Sequence, residues 1–123
     1  MNIEEFKKIL PKICDRETSL DPDGWTPENP LWGHCAVVSV LAQQKFGGEL
    51  LRASLEDTEF ARMRSHYWSR LFDDTIEDFT APQFGDNYPR GLKAETRTVE
   101  YVLSNPETNK RYELLLKRFK SLK

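Results

Sequence analysis

Residues 32–48 read WGHCAVVSVLAQQKFGG, and this stretch decides the architecture. From Cys35 to Ala42 the side chains are apolar at nearly every position, so every side of a helix built from them would be greasy. A helix of that kind has to be buried. Gly47-Gly48 then supplies a stop, because glycine accepts the left-handed backbone that ends a helix. The segment predicts a central buried helix that begins at or just before Cys35. Ahead of it, residues 18–34 (TSLDPDGWTPENPLWGH) hold three prolines, too many for a regular element, and Trp25 and Trp32 are expected to pin the loop to the body.

Outward from the helix, residues 49–55 (ELLRASL) read as a strand with Leu51, Ala53 and Leu55 on one face. Residues 65–72 (SHYWSRLF) form a second, aromatic strand, with His66, Trp68 and Arg70 on one side and Tyr67, Ser69 and Leu71 on the other. Residues 75–80 (TIEDFT) make a third, joined to the second around Asp73-Asp74. The N-terminus, with Ile3, Phe6, Ile9, Leu10, Ile13 and Cys14, predicts a helix over residues 2–17, kinked or restarted at Pro11. Residues 95–104 (ETRTVEYVLS) read as a short helix, and Ser104 or Asn105 with Pro106 opens a last one through Phe119. No repeat or linker divides the chain. The expected fold is α+β: one domain over residues 1–123, its central helix from the N-terminal half packed on a small antiparallel sheet, with flanking helices.

Composition narrows the function. The 18 basic residues against 20 acidic ones leave a formal charge of −2, without the basic excess that a nucleic-acid partner requires. The longest uncharged apolar run is far shorter than a membrane span, and residues 1–10 (MNIEEFKKIL) do not read as a signal peptide. The expectation is a cytoplasmic protein with no nucleic-acid or membrane partner. Its two cysteines, Cys14 and Cys35, are read as thiols rather than a disulfide. Cys14 fits a helix's core face. Cys35 stands in the first turn of a buried helix, where unpaired N–H groups and the positive end of the dipole favour a thiolate.

A nucleophilic thiol needs a base, and His66 is the better candidate because His34 adjoins the cysteine in sequence. With a three-residue turn over 72–74, His66 lies opposite Thr80 and Asp78 is its diagonal neighbour on the same face. A two-residue turn would put Asp78 on the wrong face. The spacing therefore points to Cys35, His66 and Asp78 as nucleophile, base and orienter. For an anionic tetrahedral intermediate the donors are the Cys35 N–H and the side-chain amide of Asn29. Gly33 allows close approach of a substrate backbone, and Trp32, His34 and Trp68 complete the expected substrate-binding set. No Cys-x-x-Cys or His-x₃-His spacing supports a metal, and no cofactor is expected.

The blocks WGHCAVVSVLAQQKFGGELLRASL, SHYWSRL, IEDFTAPQF and YVLSNPETNKRYELL, in this order, resemble those of the YunG-like bacterial proteins, an uncharacterised family without an established substrate. Its members commonly have glutamine before the cysteine, where this chain has His34. A second resemblance is architectural. Papain-like enzymes and their transglutaminase relatives present a cysteine at a helix N-terminus, then a histidine, then an aspartate or asparagine on adjacent strands. Asn29 sits at the spacing of the papain-like oxyanion glutamine. That resemblance implies a papain-like core and a thiol enzyme, hydrolase or transferase, acting on an amide, thioester or isopeptide bond of a peptide, protein or small acyl substrate. The alternative is a non-enzymatic interaction domain that uses the loop 18–34 and the aromatic strand as a binding surface. Substrate, acceptor and oligomeric state are left open by the residues themselves.

Overall fold

A computed structural model describes residues 1–122 of the chain. The segment that decides the architecture forms α2 (Cys35–Phe46), preceded by α1 (Ile3–Ile13) and followed, after the sheet, by α3 (Val99–Leu103) and α4 (Pro106–Lys120). Val38, Val40, Leu41 and Ala42 of α2 are almost wholly buried, as an all-round apolar helix must be. Phe6, Leu10 and Ile13 of α1 and Tyr112 and Leu115 of α4 close on it to form the core.

Beside the helices stand β1 (Glu49–Ser54), β2 (Ser65–Arg70), β3 (Ile76–Glu77) and β4 (Glu95–Arg97), in the order β3-β2-β1-β4, every pair antiparallel. The fold is α+β, with a four-stranded antiparallel sheet and four α-helices among the described residues. In the β1–β2 ladder Ala53 faces His66 and Leu51 faces Trp68. Alternation then sends Leu50, Tyr67 and Leu71 to the α2 side, where they join the helical core, and His66 and Trp68 to the other.

Three expectations differ from what forms. The first helix stops at Ile13, not near residue 17: Pro11 is accommodated in its last turn, and Asp15 opens a separate 3₁₀ turn over Arg16–Thr18. The third strand shrinks to two residues. Asp78 leaves the ladder so that its backbone and side chain accept hydrogen bonds from the N–H groups of Ala81 and Thr80, leading into a 3₁₀ turn over Ala81–Phe84. Residues 95–97, read as helix, instead pair with β1, and only after Thr98 caps the chain does α3 start. The sheet thereby gains a fourth strand that local periodicity does not signal, because pairing with the open edge of β1 is a non-local event. The last helix opens at Asn105, whose side chain accepts from the N–H groups of Glu107 and Thr108. No helix among the described residues is long and apolar enough to cross a membrane.

Candidate functional site

The turn before α2 is built to hold its first residue in place. Gly33 has φ +77°, and a Cβ there would lie 2.3 Å from Ser19 Oγ, so any other residue would be strained. Its N–H donates to the buried Gln83 side chain at 3.0 Å, while Asn29 donates its amide to the Gln83 carbonyl at 2.9 Å. Next comes His34, fully buried at the N-cap. Its Nδ1 faces the Trp32 carbonyl at 2.9 Å, an acceptor only, so Nδ1 carries the proton and Nε2 accepts from the Thr18 hydroxyl at 2.7 Å. Burial holds this ring neutral, its pKa lowered to about 4.

Cys35 follows at the helix start, buried, and lines a cleft of about 850 Å³. Its Sγ lies 3.9 Å from the Ser65 carbonyl oxygen. The Arg64 carbonyl is taken by Leu55 N–H on the β1 side, so the next carbonyl along the chain, that of Ser65, points to the opposite edge of β2. There β3 pairs only with Ser69 and Arg70, leaving the edge beside Ser65 and His66 without a strand partner. The body of α2 therefore lies on the Tyr67 face while His66 projects from the other. A thiol deeper in the helix would be cut off from the imidazole by the sheet. Cys35, as the first residue, meets it at the free strand edge.

His66 itself has no exposed surface. Its Nε2 lies 2.5 Å from Asp78 Oδ2, the pairing expected from the three-residue turn: Ser69 faces Glu77 and Arg70 faces Ile76, and Asp74 in the turn has φ 68°. Tyr88 donates its hydroxyl to the same Asp78 oxygen. Nδ1 is buried and makes no hydrogen bond of good geometry, which leaves it as the nitrogen available to the thiol. Burial works against a charged ring, but the Asp78 hydrogen bond and the Cys35 side chain outweigh it, and the pKa is pushed up to about 9. Trp68 stacks on the ring at 5.5 Å and Phe84 meets it edge-on at 4.9 Å. At neutral pH the site is thus an imidazolium enclosed by aromatic rings, with a carboxylate on one nitrogen and a cysteine near the other. Cys14, by contrast, is a free thiol whose pKa burial pushes up to about 12.

The structure brings Cys35, His66 and Asp78 together and gives the other expected residues different employment. Asn29 donates to a backbone carbonyl, and the space in front of Gly33 is filled by Ser19 and the backbone of Leu20 rather than left for a substrate. Both His34 nitrogens are spent inside the fold, and Trp32 gives its indole N–H to Asp21 at 2.9 Å. Trp68 supports the histidine. Two residues went unrecognised in the sequence. Tyr88 lies in a Gly- and Pro-rich loop with no periodic signal, whereas Gln83, a lone amide between Phe79 and Phe84, had the mark of a buried polar residue needing partners. No group of three or more His, Cys, Asp or Glu side chains suited to a metal occurs among the described residues.

Comparison with known proteins adds kinship. A curated relative, "Uncharacterized protein YunG" of Bacillus subtilis (strain 168), is 28% identical over 82 residues, covering 67% of this chain and 63% of the relative. The matched segment therefore spans under two-thirds of that protein's length. No solved structure matches. The family model described as YunG protein matches residues 2–123, nearly the whole chain, and the chain accordingly belongs to the YunG family.

Proposed function

We propose that the protein is a thiol-dependent acyl-transfer enzyme with a papain-like division of labour among Cys35, His66 and Asp78. One observation carries the reading: the cysteine at a buried helix start neighbours an imidazole whose other nitrogen is held by a carboxylate at 2.5 Å. In the proposed reaction the Cys35 thiolate attacks the acyl carbon, and a sulfur–carbon bond forms as negative charge moves onto the carbonyl oxygen. The Cys35 N–H, one of the unpaired donors of the first helical turn, faces that charge. His66 gives its Nδ1 proton to the leaving amine, alcohol or thiol, and the bond to it breaks. Water or an amine then loses a proton to His66 as it attacks the thioester. Departure of the acyl product restores thiolate and imidazolium. Asp78 keeps the second proton on Nε2, and Tyr88 fixes Asp78. Asn29 is left out of this mechanism, since its amide serves the turn.

The test is covalent capture. The protein is incubated with a panel of thioesters and activated esters, digested, and read by mass spectrometry. An acyl group on Cys35 and none on Cys14 is expected, with its loss over time reporting turnover. Absence of any adduct on Cys35 across the panel would favour the binding-module reading.

A further inference from the structure

The cleft beside Cys35 is unusually basic for a chain with net negative charge. Arg52, Arg62, Arg64 and Arg111 all line it, against the single acid Asp21, which is held by Arg62 at 2.5 Å. The other three arginines form no salt bridge among the described residues. Arg111 is half-buried on α4, one turn past Thr108, to which it donates one hydrogen bond at 3.0 Å, and its Nε is buried without a partner. Arg52 faces the same space from β1, opposite Tyr67, and Arg64 from the segment entering β2, where its φ is +67°. A buried guanidinium edge with no acceptor costs free energy unless something fills it. The planar fork of arginine matches an oxyanion.

The geometry points to an acyl donor that carries an oxyanion, a carboxylate or phosphate, seated on Arg111 and Arg52 while its acyl carbon reaches Cys35. This rests on the acyl-transfer reading and specifies its substrate class. It also explains why a chain with two more acidic than basic residues collects four arginines in the cleft that Cys35 lines: the three without a salt bridge steer an anion into it against the overall charge.

The experiment needs no substrate. Cys35 is labelled with iodoacetate, an anion, and with iodoacetamide, its neutral isostere, and peptide-resolved rates are compared with those of 2-mercaptoethanol. In each case sulfur attacks the methylene carbon and iodide leaves. The ratio of the two rates cancels differences in thiolate population. An iodoacetate preference at least about tenfold above that of the reference thiol is expected, from focusing of an anion by the arginines. It should fall in Arg111→Gln and Arg52→Gln, and in wild type as salt is raised. Added succinate and added inorganic phosphate should each protect against iodoacetate if both oxyanions fit, and the stronger protector names the class. A ratio equal to that of the reference thiol, indifferent to salt and to both anions, would overturn the oxyanion cleft while rapid iodoacetamide labelling left the thiol reading intact. Slow labelling of Cys35 by both reagents would overturn both.

Discussion

At the scale of single residues, His66 shows how a buried ring can hold a charge. Desolvation alone would discharge it, so the protonated state depends on Asp78 and Cys35. In an NMR titration of the imidazole carbons, His66 should change protonation near pH 9 in the wild type, and distinctly lower in Asp78→Asn and Cys35→Ser. A wild-type midpoint at or below 6.5, the ordinary imidazole value, would show that burial wins and that the three side chains do not act as a unit. The proximity of these three side chains is legible in the sequence for physical reasons. Cys35 stands in the first turn of its helix, where unpaired N–H groups and the dipole favour a thiolate, and the spacing of His66 and Asp78 suits one turn length. The partner of the Asn29 amide, the Gln83 carbonyl, comes from a turn 54 residues away, a contact that local spacing does not signal. Adjacency to Cys35 makes His34 the poorer candidate base, and the N-cap geometry indeed turns its ring inward to Thr18.

At the scale of elements, the start of α2 is set by the turn before it. Gly33 takes a left-handed backbone, and its face is closed by Ser19 Oγ and by Leu20 N–H at 3.0 Å from a would-be Cβ. Gly33→Ala should therefore cost about 3 kcal/mol, combining backbone strain with overpacking, as measured by urea denaturation. A loss under about 1 kcal/mol would mean that the turn relaxes freely and does not position Cys35. The strength of a periodic signal tracks which elements were legible. α2 and α4 have long apolar patterns with caps, and β1 and β2 have clear alternation. Three-residue β4 has neither, and exists because the edge of β1 can pair with it. β3 ends early for a complementary reason: Asp78 is worth more as a partner of His66 and a cap for the following turn than as a rung of the ladder.

At the scale of the whole molecule, two buried histidines with opposite shifts shape stability against pH. His34 is lowered to about 4, so the unfolded chain binds its proton more readily. Its contribution to stability is present above 6.5 and is lost as pH falls toward 4, on the order of 3 kcal/mol. His66 is raised to about 9, and its contribution is present below 6.5 and lost as pH rises through 9. Denaturation midpoints should peak near neutrality and decline on both sides. His34→Gln should flatten the acid side between 6.5 and 4, and a decline as steep as in wild type would contradict the assignment of that arm to His34. The account's central claim, that Cys35 is a nucleophile served by His66, is tested most directly by peptide-resolved alkylation with iodoacetamide at neutral pH in wild type and His66→Ala. Cys35 should label rapidly and Cys14, its thiol pushed up to about 12, slowly, with the Cys35 rate falling at least about tenfold when the imidazolium is removed. Equal, slow labelling of both cysteines, or a Cys35 rate indifferent to His66, would contradict it.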